Sequence, residues 1–301
     1  MDEKDWLMLK LLYEKKNITK TAEALCLTQP ALSRRLQLME EAFKIKIAER
    51  GRKGIQFTSQ GEFLASQADK ALYSFQRIKE QLQNMETEIS GTIRIGASNL
   101  FTKYFLPDLL MEFKERYPKV EFKVSTGTSR TIYDMAYKKE LHIAFVRGEF
   151  MWPSVKKLLF QEKFFVCSKK KITLDDLPKM PCVEYENDSM IQVLIDRWWN
   201  ERYETAPHIS MSVNLLETAR EMAVRGLGYA FLPESAARFA QPMYLEPMRY
   251  NNGSHVIRNT WMIYYDSAKQ MKLVQAFLDF IEEQDWNEQV HRKEERNTVQ
   301  N

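Results

Sequence analysis

Apolar residues recur at helical spacing through the first ninety or so positions of this chain and at strand spacing through much of the remainder. Asp5 to Glu14 is a compact apolar run that predicts a helix, with Trp6, Leu9 and Tyr13 expected in a core. Two short helical patterns come next, either side of a break at Cys26-Leu27. In the first, Ile18, Ala22 and Leu25 fall on one face and Thr19 can serve as cap. In the second, Leu32, Leu36, Met39 and Phe43 form a stripe at spacings of four, three and four. Thr28 can cap that helix, and Pro30 lies in its first turn, where a missing N–H costs nothing. Arg50 to Phe57 then reads as a glycine-punctuated hairpin. From Thr58-Ser59 to about Ser90 a long helix is predicted. In it Leu64, Ala68, Ala71, Phe75, Ile78, Leu82, Met85 and Ile89 keep a heptad seam. So narrow a stripe on so long a helix needs a partner, and a second copy of the chain is the simplest one. The alternative is that this helix lies on its own C-terminal domain.

After Ser90-Gly91 the period shortens. Thr92–Ser98, Val120–Ser125 and Leu141–Val146 read as strands, with helices over Thr102–Arg116 and Arg130–Lys139 between them. This βαβαβ order predicts a parallel, doubly wound α/β sheet. Leu158–Ser168 reads as an extended crossover to a second lobe. There strands begin at Pro181, Ile209 and Gly228, with helices at Ser189–Arg202 and Leu215–Arg225. Asn259–Tyr265 then returns to the first lobe, ahead of a helix over Ala268–Glu283. A chain that crosses and returns in this way makes two lobes with a cleft between them. The predicted divisions are a head over residues 1–58, a connecting helix over 59–90, and a two-lobed part over 91–301. Lobe I takes about 91–160 and 266–284, and lobe II about 161–265.

Charge sharpens the picture. The net charge of the 301 residues is +3, but residues 1–60 hold twelve Lys and Arg against eight Asp and Glu, and the remainder 32 against 33. The basic excess sits with the short helices and the hairpin, as phosphate attraction requires. At about 100° per residue Pro30, Arg34, Gln37 and Glu41 point away from the apolar stripe, with Ser33 at its flank. Gln29, Pro30, Ser33, Arg34 and Gln37 therefore give the second short helix the chemistry of a major-groove reader. Arg50, Arg52 and Lys53 would lie along phosphates. No charge-free apolar run reaches membrane length. The N-terminus MDEKDW lacks a signal-peptide pattern, so a cytoplasmic protein is expected. Cys26, Cys167 and Cys182 are too scattered for a disulfide framework, and Cys26 is expected as a small buried hydrophobe. The four histidines show no ligand spacing, no phosphate loop or nucleophile elbow is present, and of Trp198-Trp199 one is expected in the core and one exposed.

The run Thr21-Ala22, Ala24-Leu25, Thr28-Gln29-Pro30-Ala31-Leu32-Ser33, followed by Glu40, Arg50, Thr58 and Gly61, resembles the winged helix-turn-helix of the LysR-type transcriptional regulators. Glu23, Lys44 and Ala48 depart from that pattern. Gly226-Leu227-Gly228-Tyr229 with Leu232-Pro233 resembles the family's C-terminal half. The resemblance implies a winged helix-turn-helix, a long linker helix and a two-lobed effector domain of periplasmic-binding-protein type. It also implies dimerisation through the linker, here Phe75, Ile78, Leu82 and Met85, and binding of double-stranded promoter DNA as a dimer or tetramer. RNA polymerase is a further candidate partner.

Ligands of open α/β sheets sit beyond the carboxyl ends of strands. Ser98 and Asn99, Thr128 and Ser129, and Arg147 occupy those places and suit a small, anionic metabolite. Plain N-capping accounts equally for Ser98, Thr128 and Ser129, and a solvated rim position suits Arg147 as well. No resident cofactor or metal is expected. Two other readings stay open. One is a two-lobed small-molecule-binding protein or enzyme carrying the head as an assembly module, although no catalytic constellation is visible. The other is a constitutive architectural DNA binder, which needs no cleft.

Overall fold

The structure is a computed structural model that describes residues 2–51, 54–84, 88–186, 189–238 and 243–286. Two compact units divide the chain, Met1–Thr87 and Glu88–Asn301.

The first unit opens with α1 (Glu3–Lys15), held by a reciprocal cap in which the Asp5 N–H donates to the Asp2 carboxylate at 2.9 Å and the Asp2 N–H donates to Asp5 at 2.8 Å. α2 (Ile18–Ala24) is capped by Asn17, whose side chain accepts from the Lys20 N–H at 3.0 Å. Thr19 is therefore not the cap but lies in the first turn, because the chain is already helical at Ile18. Cys26 follows at a φ of 53° and is exposed, not buried, since the turn needs a left-handed residue there. α3 (Gln29–Phe43) starts at Thr28, which accepts from the Ala31 N–H at 3.4 Å. Leu32, Leu36 and Met39 join Met8, Leu9, Leu12, Ile18 and Ala22 in the core of this unit. Phe43 does not: the helix stops there, Lys44 turns left-handed at φ 54°, and Phe43 stays 42% exposed while Ile47 enters the core instead. Buried Glu40 fixes that exit, accepting from the N–H groups of Ile47 and Ala48 at 2.9 and 3.4 Å and pairing with Lys46. Tyr13 is also more exposed than expected and meets the edge of Phe57.

An antiparallel hairpin, β1 (Ala48–Gly51) and β2 (Gly54–Phe57), forms the wing. It is tied to the head where the Ile55 N–H donates to the Lys16 carbonyl. α4 (Ser59–Asn84) begins at Thr58, whose hydroxyl accepts from the Gly61 N–H at 3.0 Å and donates to the Lys46 carbonyl. Gly61 is sterically required: a Cβ there would stand 1.9 Å from the Ile47 carbonyl oxygen. α1 runs along α4, joined to it by the ion pairs Lys10–Asp69 and Lys79–Glu3. The heptad seam thus has two parts. Leu64 and Ala68 are buried inside the head, whereas Ile78 and Leu82 are 55% and 60% exposed. Met85 lies outside the described residues.

The second unit begins with β3 (Gly91–Ser98), α5 (Asn99–Tyr104), α6 (Leu106–Arg116), β4 (Val120–Gly127), α7 (Ser129–Tyr137) and β5 (Ile143–Arg147). The single helix expected over Thr102–Arg116 is two, broken at Phe105 just before Pro107, whose missing N–H suits the start of a new helix. β3 is parallel to both β4 and β5. β6 (Val155–Ser168) follows and is far longer than its neighbours. Then come β7 (Cys182–Tyr185), α8 (Ser189–Asn200), β8 (Ile209–Val213), α9 (Leu216–Arg225), β9 (Ala230–Pro233), α10 (Glu234–Ala237), β10 (Tyr244–Pro247), β11 (Ile257–Tyr264) and α11 (Lys272–Glu282).

The returning strand β11 is antiparallel to β5 and β6, so the first sheet, β4-β3-β5-β11-β6, is mixed rather than wholly parallel. β6 belongs to two sheets. Up to Lys163 it pairs with β11, and from Phe164 it pairs with β9 and β10 in the second lobe. There β7 runs parallel to β8 and meets Tyr229 beside β9. Gly228 is needed at that junction, because a Cβ would come 2.5 Å from the Pro181 carbonyl oxygen. Trp198 and Trp199 are both buried, each donating its indole N–H to a backbone carbonyl, Arg249 and Thr205 respectively. The expected exposed tryptophan is thus absent from this pair, since both rings find a hydrogen bond inside the lobe.

Candidate nucleic-acid interface and interlobe site

α3 presents Gln29, Pro30, Arg34 and Gln37 to solvent, with Thr28 exposed ahead of them and Ser33 half-buried. Two adjacent arginines divide the work. Arg35 turns inward to pair with Asp2 and Asp5, both at 3.1 Å, and so ties α3 to the cap of α1. Arg34 points outward and makes no ion pair or hydrogen bond among the described residues. On the wing, Arg50 stands opposite Ile55, while Arg52 and Lys53 lie outside the described residues.

In the second unit the carboxyl ends of β3 and β5 converge. Register pairs Ala97 with Phe145, which sets Ser98 beside Val146 and one residue short of Arg147. The five residues expected at this end behave differently. Thr128 is an exposed cap accepting from the Thr131 N–H at 3.2 Å. Ser129 is buried and accepts from the Arg147 N–H at 3.0 Å. Asn99 is exposed at the start of α5. Ser98 is buried, makes no side-chain cap, and its hydroxyl has no hydrogen-bond partner among the described residues. Arg147 is 3% exposed, so the solvated rim position is excluded.

Arg147 sits in a buried ionic triad. Glu162 receives the Arg258 guanidinium at 2.6 and 3.2 Å, and Arg147 approaches the same oxygen to 3.1 Å without the alignment of a hydrogen bond. None of the three Arg147 guanidinium nitrogens has a hydrogen-bond partner among the described residues. Burial opposes the Glu162 charge, but the two arginines outweigh it and hold the carboxyl below its ordinary range. Burial and the nearby Arg258 pull Arg147 down, partly countered by Glu162. Two guanidiniums against one carboxylate leave an excess of positive charge where water is scarce. The unpartnered Thr260 hydroxyl lies across from Arg147 on β11, and the Arg220 guanidinium of α9 donates to the Ala236 carbonyl in the opposite lobe. Lys103 of α5 and Glu217 of α9 face each other at 3.6 Å from the two lobes.

Glu162 and Arg258 escaped the sequence reading, yet strand parity contained them. Phe160, Glu162 and Phe164 share the buried side of β6, as Arg258, Thr260 and Met262 share that of β11. An acid and a base each in phase with apolar neighbours is the signal for a buried pair.

Comparison with known proteins fits both halves. Residues 4–62 match the family model described as bacterial regulatory helix-turn-helix protein, lysR family, and residues 86–286 match the LysR substrate binding domain. The chain belongs to the LysR family of transcriptional regulators. It is 37% identical to YraN of Bacillus subtilis (strain 168), an uncharacterised HTH-type transcriptional regulator, over 93% of this chain and 97% of that protein. It is 31% identical to the similarly described YkuM of the same organism, over 92% and 95%. The full-length structure of CbnR complexed with its target DNA is 18% identical and covers 94% of this chain and 99% of its own, with a TM-score of 0.67, a likeness of fold. The LysR assignment makes this a DNA-binding transcriptional regulator with a helix-turn-helix and a two-lobed substrate domain. It speaks for regulation rather than for an enzyme or solute carrier. No described helix is long and apolar enough to cross a membrane.

Proposed function

We propose that this chain is a cytoplasmic, ligand-responsive LysR regulator that reads promoter DNA with α3 and the wing, and whose effector is a small organic anion held at Arg147 between the lobes. The reading takes residues 1–58 as the DNA-binding head, 59–90 as the linker, and the remainder as the effector-binding part. Thr28, Gln29, Pro30, Ser33, Arg34 and Gln37 approach base edges and adjoining phosphates, while Arg50, Arg52 and Lys53 follow the backbone. The observation that carries the effector assignment is the buried Arg147 guanidinium, which has no hydrogen bond among the described residues. Buried charge that is not fully hydrogen-bonded is costly, and an anion accepting from the Arg147 guanidinium would remove that cost. Ser129 and Thr128 then act through the loop they cap, and Asn99 from the rim.

The test is thermal stabilisation across a panel of carboxylates, phosphates and inorganic anions, each with an uncharged isostere. An anion present at one hundred times its dissociation constant should stabilise by about 2.7 kcal/mol, and Arg147→Met should abolish the effect. A panel without a single stabilising anion would sink the assignment. The exposed Ile78 and Leu82 support a homodimer or homotetramer joined through α4, with two heads on a partly palindromic site. Ile78→Glu with Leu82→Glu should yield monomers by sedimentation, and an unchanged mass would remove that support. RNA polymerase is the natural further partner of a promoter-bound regulator.

A further inference from the structure

The second lobe carries a cavity that the effector reading does not use. It measures about 280 Å³ and lies between α8, β7 and the start of β8. Buried Val183, Tyr185, Ile195, Trp199 and Phe231 form its apolar, largely aromatic wall. None of Ser98, Arg147, Glu162 and Arg258 lines it.

Its charged lining residues are Glu184 and Asp196, and no Lys, Arg or His lines it. Their hydrogen-bond partners are neutral: the Ser212 hydroxyl donates to Glu184 at 3.3 Å and the Gln192 amide donates to Asp196 at 2.8 Å. Neither carboxylate has an ion pair among the described residues. Two other acids of this lobe are ion-paired, Glu201 with Arg197 and Glu221 with Arg225, each one helical turn apart. We propose that this cavity is a second small-molecule site, selective for an organic cation with one apolar ring and a short ammonium arm. The ring fills the apolar wall, the aromatic side chains favour a cation over an anion, and the ammonium donates to Asp196 and Glu184. A small volume limits the occupant to a single ring with its arm. A peptide or a second domain would not fit.

Isothermal titration of the full-length protein tests this with 2-phenylethylamine and cyclohexylmethylamine as probes, against 2-phenylethanol and 3-phenylpropanoate. Both amines should bind saturably and the carboxylate should not. Glu184→Gln with Asp196→Asn should weaken amine binding about tenfold, the loss expected of one charge-assisted bond, and leave the alcohol unchanged. Ala206→Trp, at the exposed rim, should block both amines while melting temperature and mass in solution stay as in the wild type. Carboxylate binding as tight as amine binding would overturn the proposal. So would amine binding indifferent to the two neutralised acids, or no saturable amine binding at millimolar concentration. A changed mass for Ala206→Trp would instead assign the cavity to a subunit contact and equally overturn it. Arg147→Met, which removes the anion response, should leave amine binding intact, so the two sites fail separately.

Discussion

Arg34 and Arg147 both carry guanidinium groups without hydrogen bonds to described residues, but in opposite surroundings. Arg34 stands on the exposed face of α3, where water satisfies it at no cost to folding. Arg147 is 3% exposed and shares one carboxylate with Arg258. A free charge in water is available for binding without storing anything, so occupancy of the head by DNA need not alter its fold. A half-satisfied charge in a low-dielectric interior is a strain on the fold, and the anion proposed to bind there would relieve it and so tie occupancy to stability. The neighbouring Arg35 makes the contrast local: one position along α3, the same side chain is already committed to Asp2 and Asp5.

The largest effect belongs to the interior. Glu162→Ala strands two buried guanidiniums and should cost about 3–5 kcal/mol of the second unit's stability by urea denaturation. A loss comparable to that of an exposed ion pair would mean that water reaches the triad, and the contrast with Arg34 would fail. Next comes Gly61→Ala, which drives a Cβ into the Ile47 carbonyl and should destabilise the head by about 1–3 kcal/mol. Of similar size, but in binding rather than folding, is Arg34→Ala. It should weaken specific DNA binding by about 1–3 kcal/mol and relax sequence preference, with a change in stability within about 0.5 kcal/mol. Arg52→Ala should instead lower affinity for every sequence and reduce the salt slope by about one. Identical behaviour of the two would erase the division between reader and wing. The smallest effect concerns Glu40. Burial alone would raise its pKa, but Lys46 and the Ile47 and Ala48 N–H groups hold it below the ordinary carboxylate range. A depressed folded-state pKa stabilises above the unfolded value and is lost as pH falls through the folded one. The stability of the head should therefore fall more steeply with acid in the wild type than in Glu40→Gln, and parallel acid profiles would contradict this.

Local chemistry explains which elements were legible in the sequence. Thr28, Pro30 and the Leu32-Leu36-Met39 stripe act within a few residues of themselves, and the helix they specify is the one that forms. The caps were less secure, because Asn17 and Thr19 are both good candidates and only the exact first turn chooses between them. Phe43 kept the stripe's period but lost its partner when the chain turned at Lys44, which periodicity alone does not see. The interior triad was the least legible. Arg147 lay at a strand end that topology marks, but its burial depends on Glu162 and Arg258. Those two lie 96 residues apart and meet only because β11 returns antiparallel beside β6. Trp198 and Trp199 are both buried by the second lobe itself, where their indole N–H groups meet the Arg249 and Thr205 carbonyls.

One uninterrupted ribbon, β6, passes its partners from β11 to β9 between Lys163 and Phe164. The same strand therefore takes part in both sheets, and the only carboxylate of the triad stands next to Lys163. The seam at which one backbone strand is handed between two sheets is thus also where the interior keeps its surplus of positive charge.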